Sequence, residues 1–429
     1  MYSVTSRIMS MKYCHATIIT MLTLSAASYA QETPLGSNVQ GLLRYAMNSS
    51  PEYAGMRSEA DAAMERIVSA GALPDPRLRT EWRDITRGGE QNPTLLPGRV
   101  GSTRYLLMQD LPWSGKRDLK REAAESQADA ARGRAASTWS DLAARIKTAY
   151  AQLYYLEQNK RLNQEILDLM VQLEKVAQVR YAGGLTAQQD VIRAQLEQTA
   201  MRNELIALDT ERQQLRSRLN ALLGRSSPEP LATPAHIPAL PPPERLSVSH
   251  LEQRARDKNP LLRTETSQIK AAEKGRDLAY RNRYPDFTLG VSPIQYSGAI
   301  REWELMLEIN IPLQQDSRRA QERESEAMLS AARSRREAVA NQILADLSEN
   351  VAGLDAAKRS LTLIADSLLP QSELTFRSAL AGYESGKVDF ATLLDAQKQI
   401  RQAKLSQVKT GLSAQMRLAD IERILGEDL

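Results

Sequence analysis

Tyr181-Ala-Gly-Gly184 and Tyr383-Glu-Ser-Gly386 are two forms of one short sequence, and 202 residues separate them. Ten residues after the last glycine of each comes an Ala-Gln pair, as Ala194-Gln195 and as Ala396-Gln397. Helical periodicity runs on both sides of each motif, so the glycines are predicted to end one helix and turn the chain into the next. The chain is therefore expected to contain two similar helical hairpins.

Other short sequences recur at offsets of 200 to 211, and this period is far longer than the ~20–50 residues of a solenoid repeat. We infer a duplicated half-domain in which each copy reads helix, strand, strand, very long helix, glycine turn, helix. The predicted fold is mainly α with a small β part. The recurring pairs are Leu223-Gly224 with Leu425-Gly426, Asn48-Ser-Ser-Pro51 with Lys258-Asn259-Pro260, Leu73-Pro74-Asp75 with Tyr284-Pro285-Asp286, and Gln109-Asp-Leu-Pro112 with Ile309-Asn-Ile-Pro312.

The copies are predicted to occupy residues 31–224 and 251–429. Residues 225–250 join them, and seven prolines lie in this connector. Because proline removes a backbone donor and breaks helices, the connector is predicted to be extended and non-helical.

Four segments are predicted to be β-strands: 77–87, 102–111, and two in the second copy, where apolar and polar residues alternate most clearly. One interpretation is an amphipathic hairpin packed on a soluble core, and the other is a sheet that faces lipid. Four strands cannot close a barrel alone, since the smallest membrane barrels have about eight strands. A barrel would therefore need strands from several chains. The apolar positions in the second copy are Phe287, Leu289 and Val291, then Trp303, Leu305, Leu307 and Ile309.

The longest predicted helix follows Gly115 and contains no proline up to Val179. Apolar residues step by three and four along it, as a coiled-coil seam does, and at ~1.5 Å per residue it spans roughly 100 Å. The corresponding helix of the second copy begins near Asp316. Pro370 stands in it where the first copy has Asp168, so a kink is predicted there.

Residues 1–30 have the pattern of an export signal: a basic start, an apolar run too short to cross a bilayer, and small residues before Gln31. Translation from Met9 or Met11 would give a shorter signal. The only cysteine, Cys14, lies inside this segment. The mature chain is therefore expected to contain no disulfide and no thiolate metal site.

Composition argues against an enzyme and against a nucleic-acid partner. Aromatic residues make up 5% of the chain, fewer than a large enzyme core normally uses, and its charged residues, 25%, alternate in sign. Ser114-Gly115-Lys116-Arg117 is like the end of a phosphate-binding loop, but Asp110 replaces its first glycine and Arg117 its Ser/Thr. We interpret it as a turn that opens a helix. No catalytic constellation, cofactor motif or metal-ligand cluster is found in the sequence.

Charged and polar residues follow both glycine turns. If the turns converge around an axis, these residues would form rings that select cations and hold a gate through side-chain pairing. The alternative is that they are solvated helix positions or N-terminal charges favoured by the helix dipole. The residues are Asp190 and Arg193 after the first turn, and Asp389, Thr392 and Asp395 after the second.

Taken together, these motifs resemble the TolC-like outer-membrane efflux proteins over nearly the whole mature chain. The resemblance rests on the duplication, on Gln109-Asp-Leu-Pro112-Trp-Ser-Gly115-Lys116 before a long helix, and on the twin glycine turns. It implies a homotrimer in a Gram-negative outer membrane, with four strands per chain in one twelve-stranded barrel. Its helices would form a tunnel across the periplasm.

The resemblance also implies partners: a periplasmic adaptor and a proton-driven inner-membrane pump. The hairpin tips at Gly183, Gly184 and Gly386 would then be the closed end that docks on the adaptor. Family members close this end with aspartates on the second-copy helix. Asp395 matches one such position and Thr392 replaces another, so one acidic ring would be missing or supplied by Asp190 or Asp389.

Within the family, the Gln-x-x-Pro-x-x-Gly-Lys stretch looks like the heavy-metal resistance branch. A passive exit duct for heavy-metal cations is therefore the leading hypothesis, and a duct for drugs is the alternative. A periplasmic coiled-coil adaptor is a third hypothesis, although adaptors usually have one hairpin rather than two. An exported enzyme has only the chain length in its favour.

Overall fold

The computed structural model describes residues 34–429. The predicted export signal, residues 1–30, lies outside this range. The first copy has the predicted order of elements. They are α1 (Val39–Ser49), α2 (Pro51–Gly71), β1 (Arg77–Arg83), β2 (Ser102–Leu111), α3 (Lys116–Ala182) and α4 (Gln188–Leu222).

The second copy repeats this order, so the duplicated arrangement is confirmed. Across residues 34–429, no helix is both long enough and apolar enough to cross a membrane. The elements of the second copy are α5 (Val248–Lys258), α6 (Pro260–Arg281), β3 (Asp286–Tyr296), β4 (Ala299–Asn310), α7 (Gln315–Leu363), α8 (Leu369–Glu384) and α9 (Phe390–Leu425).

The recurring Leu-Gly and proline motifs form the same contact in each copy. Gly224 and Gly426 both have φ of +71°, which terminates the returning helix in the left-handed conformation. A Cβ on Gly224 would lie 2.7 Å from Cδ of Pro51, and one on Gly426 would lie 3.0 Å from Cδ of Pro260. Each copy therefore closes where its last helix ends against the proline that opens its second helix.

The predicted interruption near Pro370 is confirmed in the form of a π-helical turn, Ile364–Leu368, between α7 and α8. The N–H of Leu369 bonds to the carbonyl oxygen of Ile364, five residues earlier. This wider turn accommodates the proline, which has no N–H to donate. In the first copy, α3 runs through the matching position without a break.

The connector is helical at its C-terminal end, so the prediction of no helix up to residue 250 is wrong there. A 3₁₀ turn spans Pro243–Leu246, and α5 begins at Val248. Proline is compatible with the first turn of a helix, and none follows until residue 260. Fully buried Leu251 and Ala255 give α5 its packing face.

The four strands form one antiparallel sheet in the order β1-β2-β3-β4. The first strand is shorter than predicted, because Asp84 turns the chain with a φ of 51°. The strands β3 and β4 are longer than the predicted alternation and meet at the two-residue turn Ser297-Gly298, where both residues have positive φ.

Three clusters of buried side chains hold the helices together. One lies near the tips of the hairpins, where α3, α4, α8 and α9 meet around Phe390 and Met170. A second joins α5, α6, α7 and α9 around Leu347. The third packs α1 and α4 on α3 around Leu142 and Ile146, which belong to the predicted coiled-coil seam.

Candidate functional site

The predicted apolar positions of β3 and β4 lie on one face of the sheet, here called the apolar face. The strand register places Leu289 opposite Leu307 and Val291 opposite Leu305. These side chains are not covered by the rest of the chain, and Leu305 is 89% exposed. Leu78, Trp82 and Leu107 extend the face across β1 and β2; with Phe287, Trp303 and Ile309 it spans all four strands.

The opposite face of the sheet, here called the charged face, is centred on Arg104 of β2. Its guanidinium lies 2.8 Å from Glu304 of β4 and 3.7 Å from Glu81 of β1, and its Nε donates to Oγ of Ser292 at 2.9 Å. Arg77 pairs with Asp110 at 2.8 Å on the same face. A sheet that is apolar on one side and ionic on the other separates a non-polar environment from water.

The strands join the helices at an aromatic and ionic junction. The rings of Trp113 and Tyr284 stack with centroids 5.1 Å apart, and Phe287 lies 5.8 Å from Trp113. Nζ of Lys116 donates to Oδ1 of Asp286 at 2.8 Å and to the carbonyl oxygen of Tyr284 at 2.9 Å. No local sequence pattern indicates this pairing, because the partners lie 170 residues apart.

The junction also explains the sequence that is like a phosphate-binding loop. Gly115 has a φ of +83° and stands immediately before α3, as expected of a turn that opens a helix. The side chain of Lys116 is engaged with the second copy and is buried. No nucleotide-binding role is left for the motif.

The two hairpin tips have nearly the same backbone geometry. Gly184 and Gly386 have φ of +71° and +73°. In each tip the backbone N–H of the residue after this glycine donates a hydrogen bond of 2.8 Å to a carbonyl oxygen of the preceding helix. The bonds run from Leu185 to Arg180 and from Lys387 to Gly382. Gly183 ends α3 with a φ of −82°, which any residue can adopt, and the second copy has a serine there. All three predicted tip glycines are exposed.

Arg180 connects the two tips, a contact that no sequence motif indicated. Its Nη1 donates to the carbonyl oxygen of Glu384 at 2.9 Å, and its guanidinium carbon lies 5.0 Å from the ring centroid of Tyr383. The tip of the first hairpin is thus fastened to the end of α8 in the second.

The five polar residues predicted near the turns divide into two groups. Asp190 is buried and accepts a hydrogen bond from Oγ1 of Thr186, so it stabilises the inside of the first tip. Asp389 caps α9 by accepting from the N–H of Thr392 at 2.8 Å and from its Oγ1 at 2.7 Å. These hydrogen bonds from Thr392 lower the pKa of Asp389, and the positive charge of Arg193 lowers it further.

Arg193 and Asp395 form the second group, because both side chains are exposed. The carboxylate of Asp395 makes no hydrogen bond or ion pair with any residue that the structure describes. It is therefore free to meet a group outside the chain. The structure brings Arg193 close to Asp389, whereas Asp395 lies nearly two helical turns beyond that cap.

Within residues 34–429, no group of three or more His, Cys, Asp and Glu side chains is arranged to hold a metal ion. The features described above belong to surfaces, tips and edges. They present no set of side chains that could act together as nucleophile and base.

The family model "Outer membrane efflux protein" matches residues 42–225 and 251–427. The chain belongs to this family. Its members are outer-membrane channels that reach into the periplasm and work in tripartite efflux systems, with an adaptor and an inner-membrane pump as partners. They are not enzymes, and the family match removes the adaptor and enzyme hypotheses.

Individual relatives agree with the family over most of the chain. The cobalt-zinc-cadmium resistance protein CzcC of Cupriavidus metallidurans is 24% identical over 90% of each chain. The crystal structure of CusC has a TM-score of 0.78 at 16% identity, covering 91% of this chain and 92% of that one. The outer membrane protein VceC of Vibrio cholerae has a TM-score of 0.76 at 18% identity, covering 91% and 96%. The structural likenesses support the mainly helical fold with its small sheet.

Proposed function

We propose that three copies of this chain form the outer-membrane exit duct of a heavy-metal efflux system. The duct is passive, and a proton-driven inner-membrane pump supplies the energy through a periplasmic adaptor. The exposed apolar face of the sheet is the observation that carries the proposal. Its cargo class rests on the similarity to the cobalt-zinc-cadmium resistance protein.

The sheet supports a shared barrel because it has two open edges, β1 and β4. Unpaired backbone groups are costly in lipid, so an open four-stranded sheet is not a stable membrane structure. Three copies joined edge to edge would give twelve strands and leave no edge. The apolar face would then contact lipid, through the side chains Phe287, Leu289, Val291, Trp303, Leu305, Leu307 and Ile309.

The helical part also carries apolar surface that the single chain does not cover. On α4, Ile192, Leu196 and Ile206 are all more than half exposed. Leu363 at the end of α7 and Leu374 on α8 are equally exposed. Ile192 and Leu196 are four residues apart and therefore neighbours on the surface of α4. Neighbouring apolar side chains left exposed on a helix fit a subunit contact, and this supports association of the helices in the trimer.

At the far end, the tips at Gly183, Gly184 and Gly386 dock on the adaptor in this proposal. Asp395 and Arg193 supply the accessible charges of the gate. Thr392 donates hydrogen bonds to Asp389, which caps α9. Asp190 is buried inside the first tip. These three residues set the position of the gate rather than contacting cargo.

Two measurements test the proposal. The native mass of the membrane-extracted protein in detergent is expected to be that of a trimer, and a monomer that stays in solution without detergent would reject the channel. A strain without this chain is expected to lose tolerance to cobalt, zinc or cadmium. Unchanged metal tolerance combined with lost drug tolerance would assign the duct to a drug exporter.

A further inference from the structure

The two open edges of the sheet carry opposite charge on the charged face. On β1, three arginines and one glutamate point to this face. On β4, the corresponding positions hold three glutamates and no basic residue. The residues are Arg77, Arg79, Glu81 and Arg83 on β1, and Glu302, Glu304 and Glu308 on β4.

The strand register establishes that both sets lie on the same face. Glu81 is opposite Arg104, Arg104 is opposite Ile294, and Ile294 is opposite Glu302. Side chains directly opposite one another in neighbouring strands share a face of the sheet. The positive edge and the negative edge therefore belong to one surface.

Part of this charge has no partner among residues 34–429. Arg83 and Glu308 make no ion pair with any residue in the described range. Arg79 approaches only Glu81, at 3.8 Å, and its side chain is 63% exposed. Glu302 accepts a hydrogen bond from Tyr296 and forms no ion pair with a basic residue of the part of the chain that the structure describes. The edges thus retain charge that a neighbouring strand could pair with.

We propose that opposite charges on the two edges select the contact between neighbouring copies. Where β4 of one copy meets β1 of the next in the shared barrel, a contact here called the seam, Arg79 and Arg83 pair with glutamates of β4. The occupant of each edge is a second copy of this chain. The inference rests on the proposed trimeric duct, in which these two edges meet, and adds which side chains select that contact.

The strand directions permit this pairing. Strands alternate in direction across the sheet, so β1 and β4 run in opposite directions. Rotation about an axis along the barrel preserves strand direction, and β4 of one copy thus meets β1 of the next as an antiparallel partner. The pleat then places Arg83 of one copy and Glu302, Glu304 and Glu308 of the next on the same face of the sheet.

The charges also disfavour the wrong assemblies. Two copies related by a two-fold axis would pair β1 with β1 or β4 with β4. The first pairing brings arginines together, and the second brings glutamates together. Like charges opposite one another destabilise a strand pair, so only the head-to-tail ring satisfies both edges.

Charge reversal on one edge at a time tests the seam. The variant Arg79→Glu/Arg83→Glu makes the β1 edge negative, and Glu302→Arg/Glu308→Arg makes the β4 edge positive. Each is expected to lower the yield of trimer in detergent roughly tenfold, because like charges then face each other at every seam. The fourfold variant exchanges the charges of the two edges and is expected to restore the trimer.

Arg99→Glu is the matched control, because Arg99 is exposed in the loop between β1 and β2 and makes no ion pair in the described chain. It is expected to leave trimer yield unchanged. Normal trimer yield in both edge variants would overturn the seam while leaving the trimeric duct intact. Failure of the fourfold variant to recover would show that the two edges are not coupled, and would also overturn it. A monomeric wild type would reject the proposed duct itself.

Discussion

Lys116 and Asp286 join the two copies of the repeat where the helices meet the sheet, with 2.8 Å between Nζ and Oδ1. The lysine is the first residue of α3 and the aspartate is the first residue of β3. Asp286 also accepts from the N–H of Trp113 at 2.8 Å, so one carboxylate fixes both the end of β2 and the start of α3. The longest helix of the chain is thereby attached to the strand of the other copy.

Removing this lysine is expected to destabilise the junction. In Lys116→Met the carboxylate of Asp286 loses its charged partner in a partly enclosed site, a loss of roughly 1–3 kcal/mol. The thermal midpoint of the purified protein is expected to fall. Lys175→Met is the control, since Lys175 is an exposed lysine further along α3 and forms no ion pair in the described chain. Equal midpoints for the two variants would show that the pair contributes nothing.

Gly224→Ala tests the contact that closes the first copy. A side chain at φ of +71° costs ~1–2 kcal/mol by itself. The new Cβ would also lie 2.7 Å from Cδ of Pro51, and overpacking typically adds ~1–3 kcal/mol. Gly184→Ala has the same φ, and its Cβ would meet nothing within 4 Å. The drop in thermal midpoint is expected to be larger for Gly224→Ala; equal drops would argue against a tight contact with Pro51.

Trp303→Lys tests whether the apolar face meets lipid. Trp303 is 70% exposed in the single chain. A lysine on the lipid-facing side of a membrane strand costs up to ~2–4 kcal/mol, so the amount of trimer in the membrane fraction is expected to fall. Trp303→Phe keeps the surface apolar and is expected to assemble normally. Normal assembly of the lysine variant would mean that this face is not in the bilayer.

Asp395→Ala tests the gate. The exposed carboxylate is expected to pair with a group from another copy at the closed tip, so its removal raises the conductance of the channel in a planar bilayer. Glu384→Ala is the control, because Glu384 is an exposed acid at the same end, and its contact with Arg180 uses only the backbone carbonyl. Closed-state conductance equal to the wild type in Asp395→Ala would remove this residue from the gate.

The cap at Asp389 predicts an effect of acid on the tip. Its pKa is lowered below the ordinary value of 3.8, so the folded state favours the charged form. A depressed pKa contributes stability above the unfolded pKa, and this contribution is lost as the pH falls through the folded pKa. Proteolysis at the second tip is expected to increase below about pH 4 in the wild type, and Asp389→Asn is expected to flatten this dependence. An unchanged dependence in that variant would assign it to other groups.

The repeats could be recognised from the sequence because the patterns that define each copy lie within short stretches of neighbouring residues. Strand alternation and helix periodicity depend on neighbours a few residues apart, and the glycine turns depend on backbone conformation that few other residues adopt. The seven apolar positions of β3 and β4 were therefore placed on one face correctly. Helix α5 begins three residues earlier than predicted, because the prolines up to Pro243 led the whole of residues 225–250 to be interpreted as extended.

Contacts between distant segments could not be predicted. Arg180 reaches a backbone carbonyl of residue 384, and Lys116 reaches Asp286, through packing that no local pattern records. The gate residues show the same limit. The sequence indicated that Asp190 and Asp389 follow the turns, but only the structure shows that one is enclosed and the other caps a helix.

The π-helical turn before Pro370 occurs in one copy only, and this has a consequence for how such a molecule can evolve. Two fused halves can acquire substitutions separately, so one hairpin can contain a proline while the long helix of the other is uninterrupted. An ancestral ring built from separate half-length chains would have had to carry that proline in every hairpin or in none. Fusion of the halves therefore permits two kinds of hairpin, and two kinds of binding surface for a partner, within a single chain.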